Sequence, residues 1–392
     1  MCRAAELKGE TVDSAIERLR LNIEGHDFAG YDPYDALNSR LCRTLACGNK
    51  YARTALIQAV KRCPLNLRPV LGIPRGHNPK GIGLFLWGYA KLYKFYRNPE
   101  YTERIEHLLL LLERLKSPGY HGNCWGYNFD WQSRAFFAPK YTPTIVNSAF
   151  IGHALLDTYA YTQVNRALEM AMSIKDFMVQ DLNTYKDNGS QCFSYTPLDN
   201  SRIYNATMLG ASLLIRLFEI TGDEDLKETA RASLEYGIRD QRADGSWYYG
   251  PGLNHRWIDS FHTGFNLQSI YYFIQAGFEE YRAAFENGMD FYVRNFFLQD
   301  GTPKYYHDRI YPIDIHSPCQ GIALLSMLAP KYNELAGRLA EWMLANLYDQ
   351  EGRFYFQKTR WYTNRVVYMR WSQAWAFHAL TSFLAEMGST PE

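Results

Sequence analysis

Two Asp–His pairs are suited to acid–base catalysis, because a carboxylate fixes the tautomer of a neighbouring imidazole and strengthens it as a base. Asp259 and His262 lie three residues apart at the start of an apolar segment, so both side chains can face the same side of a helix. Asp314 and His316 repeat the pair, with a different spacing, in the next such segment. All four are candidate catalytic residues. The alternative is that each pair only caps a helix.

The loop before the second apolar segment carries an aromatic surface with charged groups among its rings. Trp125, Tyr127 and Trp131 alternate with polar residues, as in an extended segment with one aromatic face. Asp130 and Arg134 fall among these rings, and such a platform is suited to bind a sugar. Asp130 is therefore a further candidate catalytic residue, as a general acid, with Arg134 as a substrate-binding residue. The alternative is an Asp130–Arg134 ion pair that only holds the loop together.

Polar residues occur at nearly the same level near the start of each apolar segment. Aligning the segments brings into register His77 or Asn78, Asn147, Asn205, His262, His316 and Arg370. Helix N-termini favour anions, so such a ring is typical of ligand contacts, although capping explains part of it. Among these we expect Asn147, Asn205 and Arg370 to bind substrate. The aromatic candidates for substrate binding outside the first loop are Trp247, Trp257, Trp361 and Trp371.

The last long loop is the most basic part of the chain and favours an anionic ligand. It contains Arg353, Lys358, Arg360, Arg365 and Arg370, interleaved with aromatic residues. Arginine binds carboxylates with two parallel hydrogen bonds. We therefore expect an acidic sugar, such as a uronate, as the ligand.

The apolar segments themselves form a repeat, which predicts the fold. They begin near His77, Thr142, Ile203, Ile258, Ile313 and Tyr368, and the last three intervals are 55 residues each. Amphipathic, more charged helices are predicted between them, for example over 165–182 and over 223–241. In the second of these, one side of the helix is apolar and the opposite side is charged. Six inner and six outer helices predict an all-α protein, an (α/α)6 toroid.

Loop lengths predict which face of the toroid is active. Links from inner to outer helices are short, whereas links from outer to inner helices are long, so the long loops gather on the face with the inner-helix N-termini. We expect residues 1–70 to form a helical segment packed on the toroid, and residues 71–392 to form the toroid, as one structural domain overall.

These segments resemble several toroid families. Gln241–Trp247 resembles the Gln–Trp repeat of squalene-hopene cyclases. The whole chain is similar to six-hairpin glycosidases, unsaturated uronyl hydrolases and N-acylglucosamine 2-epimerases. The stretches WGYNFDW from Trp125 and WIDSFHTGF from Trp257 resemble toroid proteins encoded with bacterial polysaccharide biosynthesis genes. The resemblance implies an α/α toroid that acts on carbohydrate, but that last family implies no particular activity.

Composition excludes several other classes of protein. The 42 basic and 41 acidic residues leave a net charge of +1, which argues against a nucleic-acid partner. The longest purely apolar run, Leu108–Leu112, is too short to span a membrane. Without a recognisable signal peptide, a cytoplasmic location is expected. The seven cysteines have no Cys-x-x-Cys spacing, and no nucleotide or metal motif occurs, so we expect no metal and no cofactor.

The sequence therefore predicts a carbohydrate-active enzyme that uses acid–base catalysis in the mouth of the toroid. Hydrolysis needs two carboxyl groups around the glycosidic bond, for example Asp130 with Asp259 or Asp314. A lyase or an epimerase needs a base and an acid around a carbon beside a carboxylate, for which His262 and His316 are suited. The residues do not decide between these reactions. The alternatives are a saccharide-binding or scaffold protein without activity and an isoprenoid cyclase, although the acid motif of the cyclases is missing.

Overall fold

The apolar repeat forms an inner ring of helices. The computed structural model describes residues 11–133 and 136–387. Numbered along the chain, the helices α1, α2 and α3 come first and span Val12–Gly25, Arg40–Ala46 and Lys50–Arg62. The inner helices are α4 (Pro79–Tyr96), α6 (Ile145–Thr162), α9 (Tyr204–Thr221), α11 (Ser260–Gln275), α13 (His316–Met327) and α15 (Trp375–Met387).

The ring closes on itself. Each inner helix contacts the next one along the chain, and α15 contacts α4. The residues of α4 from Pro79 to Leu92 are all buried, as expected for a helix that has neighbours on every side. The predicted (α/α)6 toroid is therefore confirmed.

An outer layer of amphipathic helices packs against the ring. Its members are α5 (Glu100–Arg114), α7 (Asn165–Met172), α8 (Ile174–Asp176), α10 (Glu224–Ile238), α12 (Arg282–Phe296) and α14 (Asn333–Leu347). In α10, Leu226, Ala230 and Leu234 are buried four residues apart, which is the predicted apolar stripe. The helix α1 packs on α15 and shares the core of the ring. The division of the chain at residue 70 stays a prediction.

The second outer helix is less regular than the sequence predicts. We expected one helix over 165–182, but α7 ends at Met172, and a π-helical turn, Phe177–Asp181, follows α8. The interruption lies where the first long loop packs. Gly122 approaches so closely that a Cβ atom would lie 2.1 Å from the carbonyl oxygen of Ser173, and Ser173 Oγ accepts the backbone N–H of Asn123.

Within the described residues, the long loops contain short antiparallel strands. They are β1 (Trp131–Gln132), β2 (Phe137–Ala138), β3 (Thr184–Asp187), β4 (Ser190–Phe193), β5 (Ile313–Asp314), β6 (Gln357–Lys358) and β7 (Thr363–Asn364). Strand β1 pairs with β2, and β3 pairs with β4. Strand β6 lies between β5 and β7, with Asp314 opposite Gln357. This last sheet ties the loop before α13 to the basic loop before α15.

No helix in the described part of the chain is both long enough and apolar enough to cross a membrane.

Candidate functional site

A cavity of about 920 Å³ lies at the face where the inner helices begin. Every inner helix, or the turn that leads into it, contributes at least one residue near its N-terminus to the wall. Among these residues are Lys80, Val146, Asn205, His262, His316 and Arg370. The common start of the six helices therefore creates the cavity, and its size suits a ligand of several sugar units better than a single ion.

Aromatic side chains from the long loops form most of the remaining wall. Tyr127, Trp131, Tyr249, Trp257 and Tyr305 all line the cavity. Trp257 stacks on Tyr249 with ring centroids 4.4 Å apart, and Trp131 packs edge-on against Tyr127 at 5.5 Å. Such walls offer flat apolar faces with polar edges, which is suitable for sugar rings.

Asp259 holds His262 in one orientation. Asp259 is the N-cap of α11, and its Oδ1 accepts the backbone N–H of His262 at 3.0 Å. Its Oδ2 lies 2.7 Å from Nδ1 of His262 and accepts the Trp257 indole N–H at 2.9 Å. A carboxylate at this distance keeps the proton on Nδ1, so Nε2 of His262 is the nitrogen available for acid–base chemistry. Asp259 is buried, while the His262 side chain keeps 23% of its surface exposed.

Asp314 and His316 are arranged differently from the first pair. Asp314 Oδ1 accepts the backbone N–H of His316 at 3.0 Å and the indole N–H of Trp371 at 2.7 Å. The expected carboxylate–imidazole bond is therefore not formed. Because Asp314 and His316 are two residues apart, the carboxylate binds the backbone N–H at the start of α13 and does not reach the imidazole of His316.

The His316 imidazole lies between aromatic rings. It stacks on Phe261 with centroids 4.4 Å apart and contacts Trp375 at 4.2 Å. Neither ring nitrogen has a hydrogen-bond partner among the described residues. Burial lowers the pKa of His316 well below its usual value, and the cations Lys80 and Arg370 lower it further. His316 is therefore neutral at neutral pH.

Substituting Asp314 by asparagine is expected to stabilise the protein at pH 7 but not at pH 4. Burial raises the pKa of Asp314 to about 6 from an ordinary 3.8, against the opposing effect of Lys61. Ionisation of Asp314 thus destabilises the folded protein relative to the unfolded chain. This loss in the free energy of unfolding grows as the pH rises from about 4 to 6. Asparagine keeps the acceptor oxygen without the charge. We expect a gain of about 3 kcal/mol in the free energy of unfolding at pH 7.

Urea unfolding of both proteins at several pH values measures this difference. An effect of the same size at pH 4 and pH 7 would show that the gain does not come from removing the charge of Asp314, because a change in packing alone does not depend on that charge.

Arg370 lines the cavity but is already paired. Its Nε donates to Asp32 Oδ2 at 2.5 Å, and its Nη2 donates to Asp32 Oδ1 at 2.8 Å. Both side chains are nearly inaccessible to solvent. Gly81 allows this arrangement, since a Cβ atom there would lie 3.2 Å from Cβ of Arg370. The guanidinium is therefore not free to bind a substrate carboxylate with these two N–H groups, contrary to our expectation.

Several predicted substrate-binding residues do line the cavity. Tyr127, Trp131, Asn205, Trp257, Trp361 and Trp371 are among its wall residues. Trp361 lies beyond β6 at the rim and keeps 83% of its surface exposed, whereas Trp371 is buried and hydrogen-bonded to Asp314. Asn205 is buried, and its Oδ1 has no partner among the described residues. Their role in binding stays a prediction.

Other predicted residues lie outside the cavity wall. Trp125 is completely buried and donates its indole N–H to the Leu112 carbonyl. Asp130 Oδ1 accepts the backbone N–H of Lys140, and Asp130 does not line the cavity. Both side chains hold the loop in place, and their roles in binding and catalysis stay predictions. Arg134 lies outside the described residues.

Asn147 and Trp247 do not line this cavity either, and their role in binding stays a prediction. Asn147 is fully buried beside the cavity residue Val146 and does not reach the wall. Trp247 donates its indole N–H to the Gly237 carbonyl at the end of α10. The turn before it needs glycine, because Gly245 has a φ of +87° and a Cβ atom would lie 2.3 Å from the Asn287 carbonyl oxygen. The Gln–Trp turn is thus a structural element.

Several polar residues of the wall were not predicted, among them Tyr34, Lys61 and Lys80. Lys61 donates to the Tyr34 hydroxyl at 2.7 Å. Lys80 is the second residue of α4, whose N-cap Asn78 accepts its backbone N–H. A lysine in an otherwise apolar inner helix was the available signal for Lys80. Tyr34 and Lys61 come from the segment before the ring, for which the repeat gives no register.

In the described part of the chain, no group of three or more His, Cys, Asp or Glu side chains is arranged to hold a metal ion.

Solved structures with the same architecture include proteins that act on sugars. The fold is that of the six-hairpin (α/α)6 toroids. A GH76 α-mannanase of Bacteroides thetaiotaomicron is 15% identical, with a TM-score of 0.60, over 81% of this chain and 88% of that chain. A cellobiose 2-epimerase of Bacillus thermoamylovorans is 14% identical, with a TM-score of 0.62, over 79% and 88%. A D-mannose isomerase is 12% identical, with a TM-score of 0.59, over 80% and 88%.

At this level of identity, the likeness establishes the fold and not the reaction. No protein-family model matches the sequence. No curated protein matches it significantly.

Proposed function

We propose that this protein is a carbohydrate-active enzyme that moves protons on an acidic sugar, with His262 and His316 as its acid–base pair. The observation that carries the proposal is the position of the two imidazoles in one cavity. The ring of Phe261 contacts both, with centroid distances of 4.3 Å to His262 and 4.4 Å to His316. Two imidazoles that line the same cavity are suited to serve as base and acid for the same bound sugar.

The hydrogen bonds of the carboxylates favour an epimerase or a lyase over a hydrolase. Hydrolysis uses two carboxyl groups on either side of the glycosidic bond. Asp259 accepts three N–H groups from Trp257 and His262, and Asp314 accepts two. Both carboxylates therefore act as positioning groups, and Asp130 lies outside the cavity.

The proposed reaction begins at the carbon beside a carbonyl or carboxylate group. One imidazole removes the proton of this carbon, and the electron pair of the C–H bond forms an enolate. In an epimerase, the second imidazole, which carries a proton, returns it to the opposite face of the carbon. In a lyase, the electron pair forms a C=C bond while the glycosidic oxygen leaves with the proton of the second imidazole.

The charge of the cavity supports an acidic substrate. Among the described residues of the wall, the cationic side chains are Lys61, Arg62, Lys80, Arg360 and Arg370, whereas Asp314 is the only carboxylate. This excess of positively charged side chains attracts anionic ligands. The names of the structural neighbours, which include a mannanase, an epimerase and an isomerase, further support a sugar substrate. The resemblance of two segments to proteins of polysaccharide biosynthesis supports a substrate of that origin.

Incubating the protein with uronate-containing oligosaccharides in D2O tests the reaction class. We expect solvent deuterium to enter one C–H position of the sugar, detected by NMR, together with either an epimer or an unsaturated product. Release of reducing ends without deuterium uptake or unsaturation would replace the proposal with hydrolysis. Binding without any of these signals would favour the alternative of a saccharide-binding protein.

A further inference from the structure

The amine of Lys80 lies in the cavity wall among aromatic rings. Lys80 is only 3% exposed. Its Nζ lies 3.9 Å from the ring centroid of Phe150, 5.4 Å from that of Trp375 and 5.5 Å from that of Phe265. Aromatic faces attract an ammonium group, but they do not neutralise its charge.

No anion of the protein compensates this amine. Among the described residues, no carboxylate forms an ion pair with Lys80 Nζ. Asp32, the carboxylate whose charge acts on Lys80, uses both of its oxygens to bind Arg370. A buried ammonium group without a counter-ion costs free energy, so burial favours the neutral amine, and the site favours the arrival of an anion together with a proton.

The charged groups that face Lys80 from neighbouring elements shift its pKa in both directions. Burial lowers the pKa of Lys80 well below its usual value, and Arg370, in the turn before α15, lowers it further. Asp32, from the segment before α2, acts in the opposite direction. His316 of α13 is the other titratable neighbour, and Lys80 lowers its pKa in turn. An arriving anion would raise the pKa of Lys80 again.

We infer that Lys80 binds the carboxylate of the substrate and thereby selects an acidic sugar. The identity of the ligand as an acidic sugar rests on the proposed function, but the role of Lys80 concerns binding alone. Because the ammonium form pairs with the carboxylate, binding takes up a proton from solution, and affinity falls as the pH rises above neutrality.

Calorimetric titration measures both consequences on the full chain. The ligands are D-glucuronate, D-galacturonate and D-mannuronate, each compared with its neutral parent sugar, in buffers of different ionisation enthalpy. In the wild-type protein, we expect at least one uronate to bind more tightly than its parent sugar, with a net uptake of protons. In Lys80→Met, we expect affinity for that uronate to fall about 10- to 100-fold, the proton uptake to disappear and affinity for the neutral sugar to stay unchanged.

Lys91→Met is a matched control. Lys91 lies on the same helix, is also buried and also has a lowered pKa, chiefly through burial, but it does not line the cavity. We expect this variant to bind uronates like the wild type. Lys80→Gln repeats the test with a polar side chain in case methionine impairs folding, and circular dichroism verifies the fold of each variant.

Three results would overturn the inference. The first is that the wild type binds every uronate with the same affinity as its parent sugar. The second is that both Lys80 variants bind uronates as the wild type does. The third is that Lys91→Met loses as much uronate affinity as the Lys80 variants. Catalysis is not needed for these measurements. A protein that binds uronates through Lys80 but exchanges no deuterium would therefore contradict the proposed function and leave this inference intact.

Discussion

His262→Ala is expected to lower kcat on an acidic glycan about 10²- to 10⁴-fold, with substrate affinity retained within about tenfold. The variant removes the nitrogen that faces the cavity, while the aromatic and cationic wall remains. Asp259→Asn is expected to cause a loss of similar size, because an amide can no longer hold the Nδ1 proton and the tautomer changes. Single-turnover and binding measurements on the same preparations separate the two quantities.

Another Asp–His pair, His121 with Asp181, serves as a control for this experiment. His121 Nδ1 lies 2.7 Å from Asp181 Oδ1, the same distance as in the Asp259–His262 pair, but His121 does not line the cavity. We expect His121→Ala to keep full activity. Full turnover in both His262→Ala and Asp259→Asn would show that the pair has no part in catalysis.

Arg370→Met is expected to lower the free energy of unfolding by about 3–5 kcal/mol, because it leaves Asp32 buried without its partner. The two groups share a bidentate contact and are nearly inaccessible to solvent. Urea unfolding of the wild type and the variant at pH 7 measures this loss.

Two further variants make the interpretation specific. The double variant Asp32→Asn/Arg370→Met is expected to recover much of the lost stability, since it leaves no uncompensated charge. Arg294→Met removes one partner of an exposed ion pair with Asp290, and we expect it to leave the free energy of unfolding almost unchanged. If Arg370→Met were as harmless as Arg294→Met, Asp32 would have to be solvated or neutral in the folded protein.

The sequence was sufficient to predict the ring because the ring depends on a local pattern that is repeated. Segments that are apolar on all sides must be buried on all sides. Their regular spacing, 55 residues in each of the last three intervals, indicates that one pair of helices is repeated along the chain. The same register predicted that residues near the inner-helix N-termini would share one face. His262, His316 and Arg370 do line one cavity.

Single side chains near these helix ends were harder to predict. A helix turns by about 100° per residue, so an alignment error of one or two positions exchanges a wall residue for a buried one. Asn147 is buried while its neighbour Val146 reaches the cavity, and Lys80 reaches it although Asn78 was the expected residue. In the loops no period exists, so the burial of Trp125 and the backbone contact of Asp130 could not be foreseen.

The sequence alone thus determined the class of fold, the face that carries the long loops and the Asp259–His262 pair, because each depends on residues that are close together in the chain. Only the tertiary structure decided the partners of the charged groups. Asp32 and Arg370 are 338 residues apart in the chain, and they meet because the ring closes between α15 and α4. That contact occupies the arginine expected to bind substrate and leaves Lys80 as a buried amine of the cavity wall for which no ion pair is formed among the described residues.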